Sequence, residues 1–540
     1  MPGLSTFSRA LGSARGRSHD LVFYFLAISS GVLLSLAFPR PSLWPLIFVG
    51  LIPLLFACQG RELKSAFGFG YLTGLVHAGT LLYWLVKVLT FYGGLHLVVA
   101  LPVFFLLVGY ISLYPALFML GLSLCEKGLK AAPGGLSWVL AGAVIYTGLE
   151  YLKGIFLSGL PWEPLGAALM ASLSLVQFSD IVGTGGLTFI VVAVNLSLFA
   201  LVLRWQAGDL KAVLIRGAVI LIALCGLWGY GHFRLAVVKD LIAAAPSHKV
   251  AIAQGNIDQL HKWDPVYRVS ILKTYQDLTL RAAEENPWLI IWPEAATPFF
   301  FLKEQGGTTW LKALVKRVGK PLLFGSPAYE EYGDDEKYYN RVYLVDRHGE
   351  VKGYYDKVRL VPYGEFVPLK RFFPFLGKIT QAVGDYFGGE KSRLIEFGEE
   401  RIGVLICYES LFSGLVRDQV VKGADFLVNP TNDAWFGRTS APHQLLHQSA
   451  LRAVENRRPM IRAANTGISA IIWPTGEIKA RLGSFEQGVV SGLVPRLSEK
   501  TVYTAIGDLI PQVCLVVAII VIAAGIIRRR RDACGSENEV

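Results

Sequence analysis

The stretch RIGVLICYE, residues 401–409, decides the fold class. Its apolar run from Ile402 to Ile406 is too short for an ordinary helix and stops abruptly on a thiol, a phenol and a carboxylate. That is the profile of a buried strand with polar groups at one end. The profile recurs in VAIAQGNI (250–257), WLIIWPE (288–294), PLLFGSP (321–327), VYLVD (342–346), DFLVNPTND (425–433) and MIRAANTGISAIIWP (460–474). Helical patterns over 265–285, 308–318, 410–421 and 442–457 alternate with these runs, and DRHG (346–349) and PTGE (474–477) have the composition of hairpin turns. Such alternation predicts an α/β layered domain of about 250 residues.

Outside this region the chain changes character. Its 540 residues are 53% hydrophobic and 17% charged, with a mean hydropathy of +0.45, too apolar for soluble domains throughout. Asp, Glu, Lys and Arg number 21 in residues 1–235 and 64 in residues 236–500, which separates a membrane part from a water-soluble part. Disorder, a collagen-like repeat and a disulfide scaffold are excluded by the hydrophobic content and by a total of six cysteines. Apolar runs near 21–38, 43–58, 66–89, 94–124, 136–155, 182–203, 213–231 and 509–527 predict about eight transmembrane helices. The expected organisation is a membrane domain over 1–234 with seven of them, a soluble domain over 235–505, and a last helix with a basic tail over 506–540.

The net charge of +11 falls mostly in short clusters: Arg9, Arg15 and Arg17; Arg61 and Lys64; Lys127 and Lys130; Arg204, Lys211 and Arg216; and Arg528 to Arg531. These occupy alternate connections, so they mark the cytoplasmic side and read as topology, with no nucleic-acid footprint. Seven crossings from a cytoplasmic N-terminus place residues 235–505 on the periplasmic face of a bacterial inner membrane. The connection 156–181 contains GLPWEPLG (159–166), read as a re-entrant loop or a surface lip. Glu150, at the edge of the fifth span, and Glu163, in this loop, are read as interfacial carboxylates or as functional ones.

Cys58, Cys125, Cys225 and Cys514 fall in or beside spans and Cys534 in the tail, which leaves Cys407 alone on the outer side. A lone thiol in an oxidising compartment risks damage, so its place at a strand end invites a catalytic reading; a small buried hydrophobe is the alternative. Glu294 ends WLIIWPE, where an unpaired carboxylate inside is costly, so it is expected at a site on the sheet's edge. Lys357 lies in YYDKVRLVPYGEFVP (354–368), an ordered loop with two prolines, and Glu365 follows eight residues later. A thiol, a carboxylate and an ammonium supply a nucleophile, a proton acceptor and a cation for an oxyanion. Surface ion pairs are what the same residues form if they do not converge. His443 and His447 stand at i and i+4 without a third ligand, so neither a metal nor a cofactor is expected.

At these residues the chain resembles the nitrilase, or carbon-nitrogen hydrolase, superfamily, through WPE (292–294), DKVRLVPYGEFVP (356–368) and CYES (407–410). QGNI (254–257), KWD (262–264), NDAWFG (432–437), LRAVENRRP (451–459) and RAANTGIS (462–469) are similar to one branch of it, the apolipoprotein N-acyltransferases, which carry a multi-span membrane domain. The resemblance implies an αββα sandwich in which Glu294 is the general base, Lys357 stabilises the oxyanion and Cys407 is the nucleophile, assisted by the Tyr408 backbone N–H. It further implies that Glu365 positions this triad and that Trp263, Tyr408 and Glu409 line the substrate site. A packed aromatic and a helix N-terminal carboxylate are the plainer readings of Trp263 and Glu409. Glu163 stands in PWEPLG where the resemblance leads one to expect an apolar residue.

The reaction so implied moves an acyl chain from a membrane phospholipid, through a Cys407 thioester, to the α-amino group of a diacylglyceryl-modified cysteine at an apolipoprotein's N-terminus. A membrane-tethered amidase or nitrilase-type hydrolase is one alternative. A transporter or receptor with a degenerate sensing domain is another, disfavoured by competent residues at every triad position. PFFFL (298–302) and FFPFL (372–376) adjoin the two proposed strand ends, either as an apolar mouth for lipid or as core. The charge parity makes a topological prediction: a periplasmic reporter fused after Arg216 should be silent and one fused near Lys249 active, and equal activity at both points would contradict it.

Overall fold

The computed structural model describes residues 17–333, 335–362, 364–366, 386–390 and 392–537; FFPFL lies outside them. The chain divides into two compact units, one of residues Met1–Val86, His96–His232 and Asp508–Val540, the other of Lys87–Leu95 and Phe233–Gly507.

The first unit is helical. Five helices are long and apolar enough to cross a membrane: Leu97–Gly128, Leu136–Ser158, Ser179–Gln206, Leu210–Ala244 and Leu509–Arg531. Leu63–Leu81 and Trp84–Tyr92, bent by 56° at their junction, make a sixth if they count as one span. The eight expected spans therefore correspond, among the described residues, to five or six helices of sufficient length. The expected spans near 21–38 and 43–58 are the shorter apolar helices Asp20–Leu36 and Trp44–Cys58. Proline accounts for the second, since Pro45 and Pro53 each stand in the first turn of a short segment and break the run in two. The loop GLPWEPLG is held from below: Glu150 accepts the Leu165 N–H at 2.9 Å and the Thr188 hydroxyl at 2.6 Å, and the Trp162 ring packs on Trp84 at 4.8 Å. Glu163 is buried there with a left-handed backbone at φ +40°.

The second unit contains twelve strands: β1 (Ser247–Gln254), β2 (Leu289–Ile291), β3 (Leu322–Tyr332), β4 (Asp335–Val345), β5 (Val351–Asp356), β6 (Leu394–Phe397), β7 (Glu400–Val404), β8 (Phe426–Thr431), β9 (Met460–Ala464), β10 (Ser469–Ile472), β11 (Ile478–Leu482) and β12 (Gly488–Pro495). They form two six-stranded sheets, ordered β12-β1-β2-β3-β4-β5 and β11-β10-β9-β8-β7-β6. Each sheet has three parallel strands at its centre, β1-β2-β3 in one and β7-β8-β9 in the other, with antiparallel strands outside them. The central strands β2, β8 and β9 are buried at every position, as parallel strands covered on both faces must be. Helices Arg268–Glu284 and Gln305–Val318 insert Ile271, Tyr275, Leu278, Leu311 and Val315 into a core with Trp292 and Phe324 of the first sheet. Ser413–Val421 and Ala441–Asn456 pack on the second.

The strand end of β2 is built by a close backbone approach. A Cβ on Gly325 would lie 2.4 Å from the Ala295 nitrogen and 2.7 Å from the Glu294 Cα, so β3 passes under residues 293–296 only because position 325 lacks one. Of PFFFL, Phe299 and Phe301 are in the core, Pro298 and Phe300 are partly buried and Leu302 is exposed, so the run is divided between core and surface. Gly325→Ala should destabilise the fold by about 1–3 kcal/mol through overpacking, read as a lower thermal midpoint. Gly306→Ala, with open space around its Cβ in a helix's first turn, should leave the midpoint unchanged or slightly higher.

Candidate active site

Glu294, Lys357 and Cys407 all lie just past the ends of strands: Glu294 after β2, Lys357 after β5 and Cys407 after β7. Carboxyl ends of strands are where open α/β sheets expose backbone and side chains to a ligand. Lys357 is 1% exposed, and its Nζ donates to Glu294 Oε1 at 3.1 Å and to Glu365 Oε1 at 2.8 Å. Asn340 of β4 donates from Nδ2 to the same two oxygens, at 2.7 and 2.9 Å. The second oxygen of Glu294 accepts the Asn432 backbone N–H at 2.8 Å, and that of Glu365 accepts the Val361 N–H at 2.9 Å.

These contacts set the charges. Burial alone would push the Glu294 carboxyl up, but the Lys357 ammonium and the Asn340 amide outweigh it and hold it below the usual carboxylate range. Burial works against the Lys357 charge, and the two carboxylates overcome it, keeping the ammonium protonated well above the ordinary lysine range.

Cys407 opens a 3-10 turn, Cys407–Leu411, with φ +51°, a left-handed conformation that a non-glycine residue adopts at a cost of about 1–3 kcal/mol. Glu409 holds the turn. It is fully buried and accepts the N–H groups of Ile406, Val358 and Arg359 at 2.7, 2.6 and 2.9 Å and the Tyr355 hydroxyl at 3.0 and 3.1 Å. One carboxylate thereby clamps the cysteine turn to the loop that starts at Lys357. From the second sheet, Asn429 donates to the Cys407 carbonyl at 3.1 Å, Arg462 donates to Asn429 at 2.5 Å, and Arg462 pairs with Asp433 at 2.7 Å with both side chains fully buried. Burial pushes the Cys407 thiol up to about 12, with Glu294 adding to the rise and Lys357 opposing it; the group is a thiol at neutral pH.

The structure thus brings Glu294, Lys357, Glu365 and Cys407 to one place. Tyr408 turns its ring onto Phe412 at 5.0 Å, and Trp263 is 48% exposed on the loop after β1. Sequence reasoning missed Asn340, Asn429, Asn432 and the Arg462–Asp433 pair. An asparagine in the otherwise tyrosine-rich strand KYYNRVY (337–343) was the one signal for Asn340. Among the described residues no group of three or more His, Cys, Asp or Glu side chains is placed to hold a metal ion.

Residues 249–501 match the carbon-nitrogen hydrolase family model, and residues 30–197 match that of the apolipoprotein N-acyltransferase N-terminal domain. The apolipoprotein N-acyltransferase of Geobacter metallireducens is 38% identical over 509 residues, covering 94% of this chain and 96% of that one. The chain belongs to the apolipoprotein N-acyltransferase family. The Chlorobaculum tepidum member is 30% identical, with 96% and 100% of the two chains covered. Among solved structures, an amidase from Nesterenkonia sp. matches with 24% identity and a TM-score of 0.35, over 46% of this chain and 91% of that one. Membership places the chain in the carbon-nitrogen hydrolase superfamily, with membrane lipid and lipoprotein as the general class of substrate.

The raised thiol makes a pH prediction. Iodoacetamide labelling of the Cys407 peptide should climb about tenfold per pH unit from pH 7 to 10 without levelling, because the thiolate fraction keeps growing until about 12. A plateau below pH 9 would mean that the thiolate is already formed.

Proposed function

We propose that the protein transfers an acyl chain from a membrane phospholipid to the sulfur of Cys407 and then to the α-amino group of a diacylglyceryl-modified apolipoprotein. The observation that carries this reading is the buried carboxylate–ammonium–carboxylate cluster of Glu294, Lys357 and Glu365, in which Glu294 and Lys357 act electrostatically on Cys407. A protonated thiol needs a proton acceptor as it attacks, and an ionised Glu294 is one. In the first step the Cys407 S–H proton passes to Glu294 while sulfur bonds to the ester carbonyl carbon. The oxyanion so formed is met by the Lys357 ammonium, two of whose three N–H bonds already engage carboxylates, and by the Tyr408 backbone N–H. Collapse breaks the carbon–oxygen ester bond, and Glu294 returns its proton to the departing lysophospholipid.

In the second step the apolipoprotein amine attacks the thioester carbonyl. Glu294 takes the amine's proton, the carbon–sulfur bond breaks, and the same proton restores the thiol. Glu365 and Asn340 hold Lys357 and Glu294 in place. Trp263, half-exposed beside the site, is read as a substrate contact, and Glu409 as the support of the cysteine turn rather than a group in the lipid's path.

With Asp20–Leu36 and Trp44–Cys58 read as crossings, the five long helices and the bent pair give eight spans. Seven of them precede a periplasmic catalytic domain expected over 235–505, the seventh, Leu210–Ala244, running past residue 234 into that range, and the final span lies in 506–540. The two sheets are read as the inner layers of an αββα sandwich. Support comes from the Gln254 and Ser469 side chains, bonded at 2.5 Å, and from the Asn256 N–H, which donates to the Asn465 carbonyl at 3.0 Å.

Purified protein incubated with phospholipid vesicles alone should acquire an acyl adduct on Cys407 that hydroxylamine releases. Cys407→Ala should abolish it, and Glu294→Gln and Lys357→Ala should each slow its formation by about 100-fold or more. An adduct persisting in Cys407→Ala would refute the nucleophile. Release of free fatty acid, with no transfer to a diacylated peptide amine, would favour a hydrolase.

A further inference from the structure

A second lysine sits against the same site and has no part in the steps above. Lys262, on the loop after β1, is 3% exposed, and its Nζ donates to the Glu294 backbone carbonyl at 3.3 Å. Among the described residues no carboxylate oxygen lies within ion-pairing distance of it, whereas every other buried cation at the site has one: Lys357 has Glu294 and Glu365, and Arg462 has Asp433. A buried ammonium without a contact counter-ion is unfavourable unless a nearby field compensates. The field here is that of Glu294, whose carboxylate and Lys262 act on each other electrostatically.

Charge counting around the site shows the need. From the loop after β5 come Lys357 and Glu365, from the end of β2 Glu294, from the turn after β7 the neutral Cys407 thiol and Glu409, and from the end of β8 Asp433, already neutralised by Arg462 of β9. On the lysine's own loop lie Asp258, His261 and Asp264. Glu409 has its own four donors. Lys357 is therefore one cation shared between two carboxylates, and Glu294 and Glu365 with Lys357 alone would leave the pocket one negative charge in excess.

We propose that Lys262 is a positioning residue of the reaction, a second buried cation that balances the Glu294–Lys357–Glu365 cluster and keeps Glu294 ionised as proton acceptor. This rests on the reading of Glu294 as the base for Cys407. Burial draws Lys262 down to about 8 against the pull of Glu294, so the ammonium is present throughout the acidic range, below the usual carboxylate value, in which Glu294 titrates.

The experiment follows acyl-adduct formation on Cys407 of the full-length protein with phosphatidylethanolamine vesicles, by intact mass, from about pH 2 to 9, so that the window includes the range below the usual carboxylate value. The acidic limb of the rate reports Glu294. Lys262→Met and Lys262→Gln should move that limb upward by about one pH unit, since losing a nearby opposite charge disfavours the ionised carboxylate. Lys262→Arg, which keeps the charge, should leave the limb where it is whatever its rate. A rate lowered equally at every pH by the neutral variants, with the limb unmoved, would overturn the proposal and leave Lys262 a packing residue. Should both neutral variants fail to fold, Lys262→Arg decides: a wild-type limb supports the charge role, and a displaced limb or an unfolded protein defeats it. Absence of any adduct in the wild-type protein would instead count against the thioester reading itself.

Discussion

The sheet-containing unit is organised around one buried ammonium. Lys357 cannot be almost wholly buried without carboxylate partners, and removing one partner of such a pair typically costs about 3–5 kcal/mol because a charge is left uncompensated. Its partners arrive on different elements. Glu294 comes from the end of β2, Glu365 from the loop after β5, and Asn340 from β4 donates to both. Strands β2, β4 and β5 belong to one sheet in which β3 separates β2 from β4, so a register slip in any of them would break the cluster. The constraint on the chemistry is thus also a constraint on the fold.

The second sheet supplies its part by a different device. Cys407 sits in a backbone conformation worth about 1–3 kcal/mol of strain, and something must outweigh it. Glu409 opposes it with three backbone N–H groups and a tyrosine hydroxyl, while its own burial raises its carboxyl to about 7. Since two of those N–H groups belong to Val358 and Arg359, next to Lys357, the same carboxylate fixes the cation relative to the thiol.

How much of this was legible in the sequence depended on the kind of signal. Apolar strands ending on a functional group were readable, because a buried strand leaves an unmistakable run and its polar terminus has to go somewhere: WLIIWPE and RIGVLICYE are cases. The hairpin turns DRHG and PTGE fall between β4 and β5 and between β10 and β11, as their composition indicated. Strands β5, β6, β11 and β12 went unread because strands near a sheet's edges with one wet face carry polar residues, as IKARL does, and lose the run. MIRAANTGISAIIWP looked like one strand and is two, β9 and β10, paired antiparallel around Asn465 to Ile468. In the membrane part, hydropathy found the apolar runs but could not distinguish one continuous helix from a run divided into two short helices at Pro45 and Pro53. The roles of Asn340 and Lys262 were hidden for a deeper reason: the asparagine of KYYNRVY and the lysine of KWD can be noticed, but their significance is the company they keep across the fold, which no local pattern encodes.

A thiol pushed up to about 12 has a consequence for the intermediate as well as for the attack. A high thiol pKa makes the sulfur a poor leaving group, so a thioester on Cys407 would resist breakdown by nucleophiles that arrive without a means of losing a proton. Water and an amine both need Glu294 for that, and the amine is much the stronger nucleophile once deprotonated. Burial around Cys407, 8% exposed, further limits water. On the thioester reading proposed above, the burial that would make the first attack depend on a base would also favour an acyl-enzyme that waits for an amine, the behaviour an acyltransferase needs and a hydrolase does not.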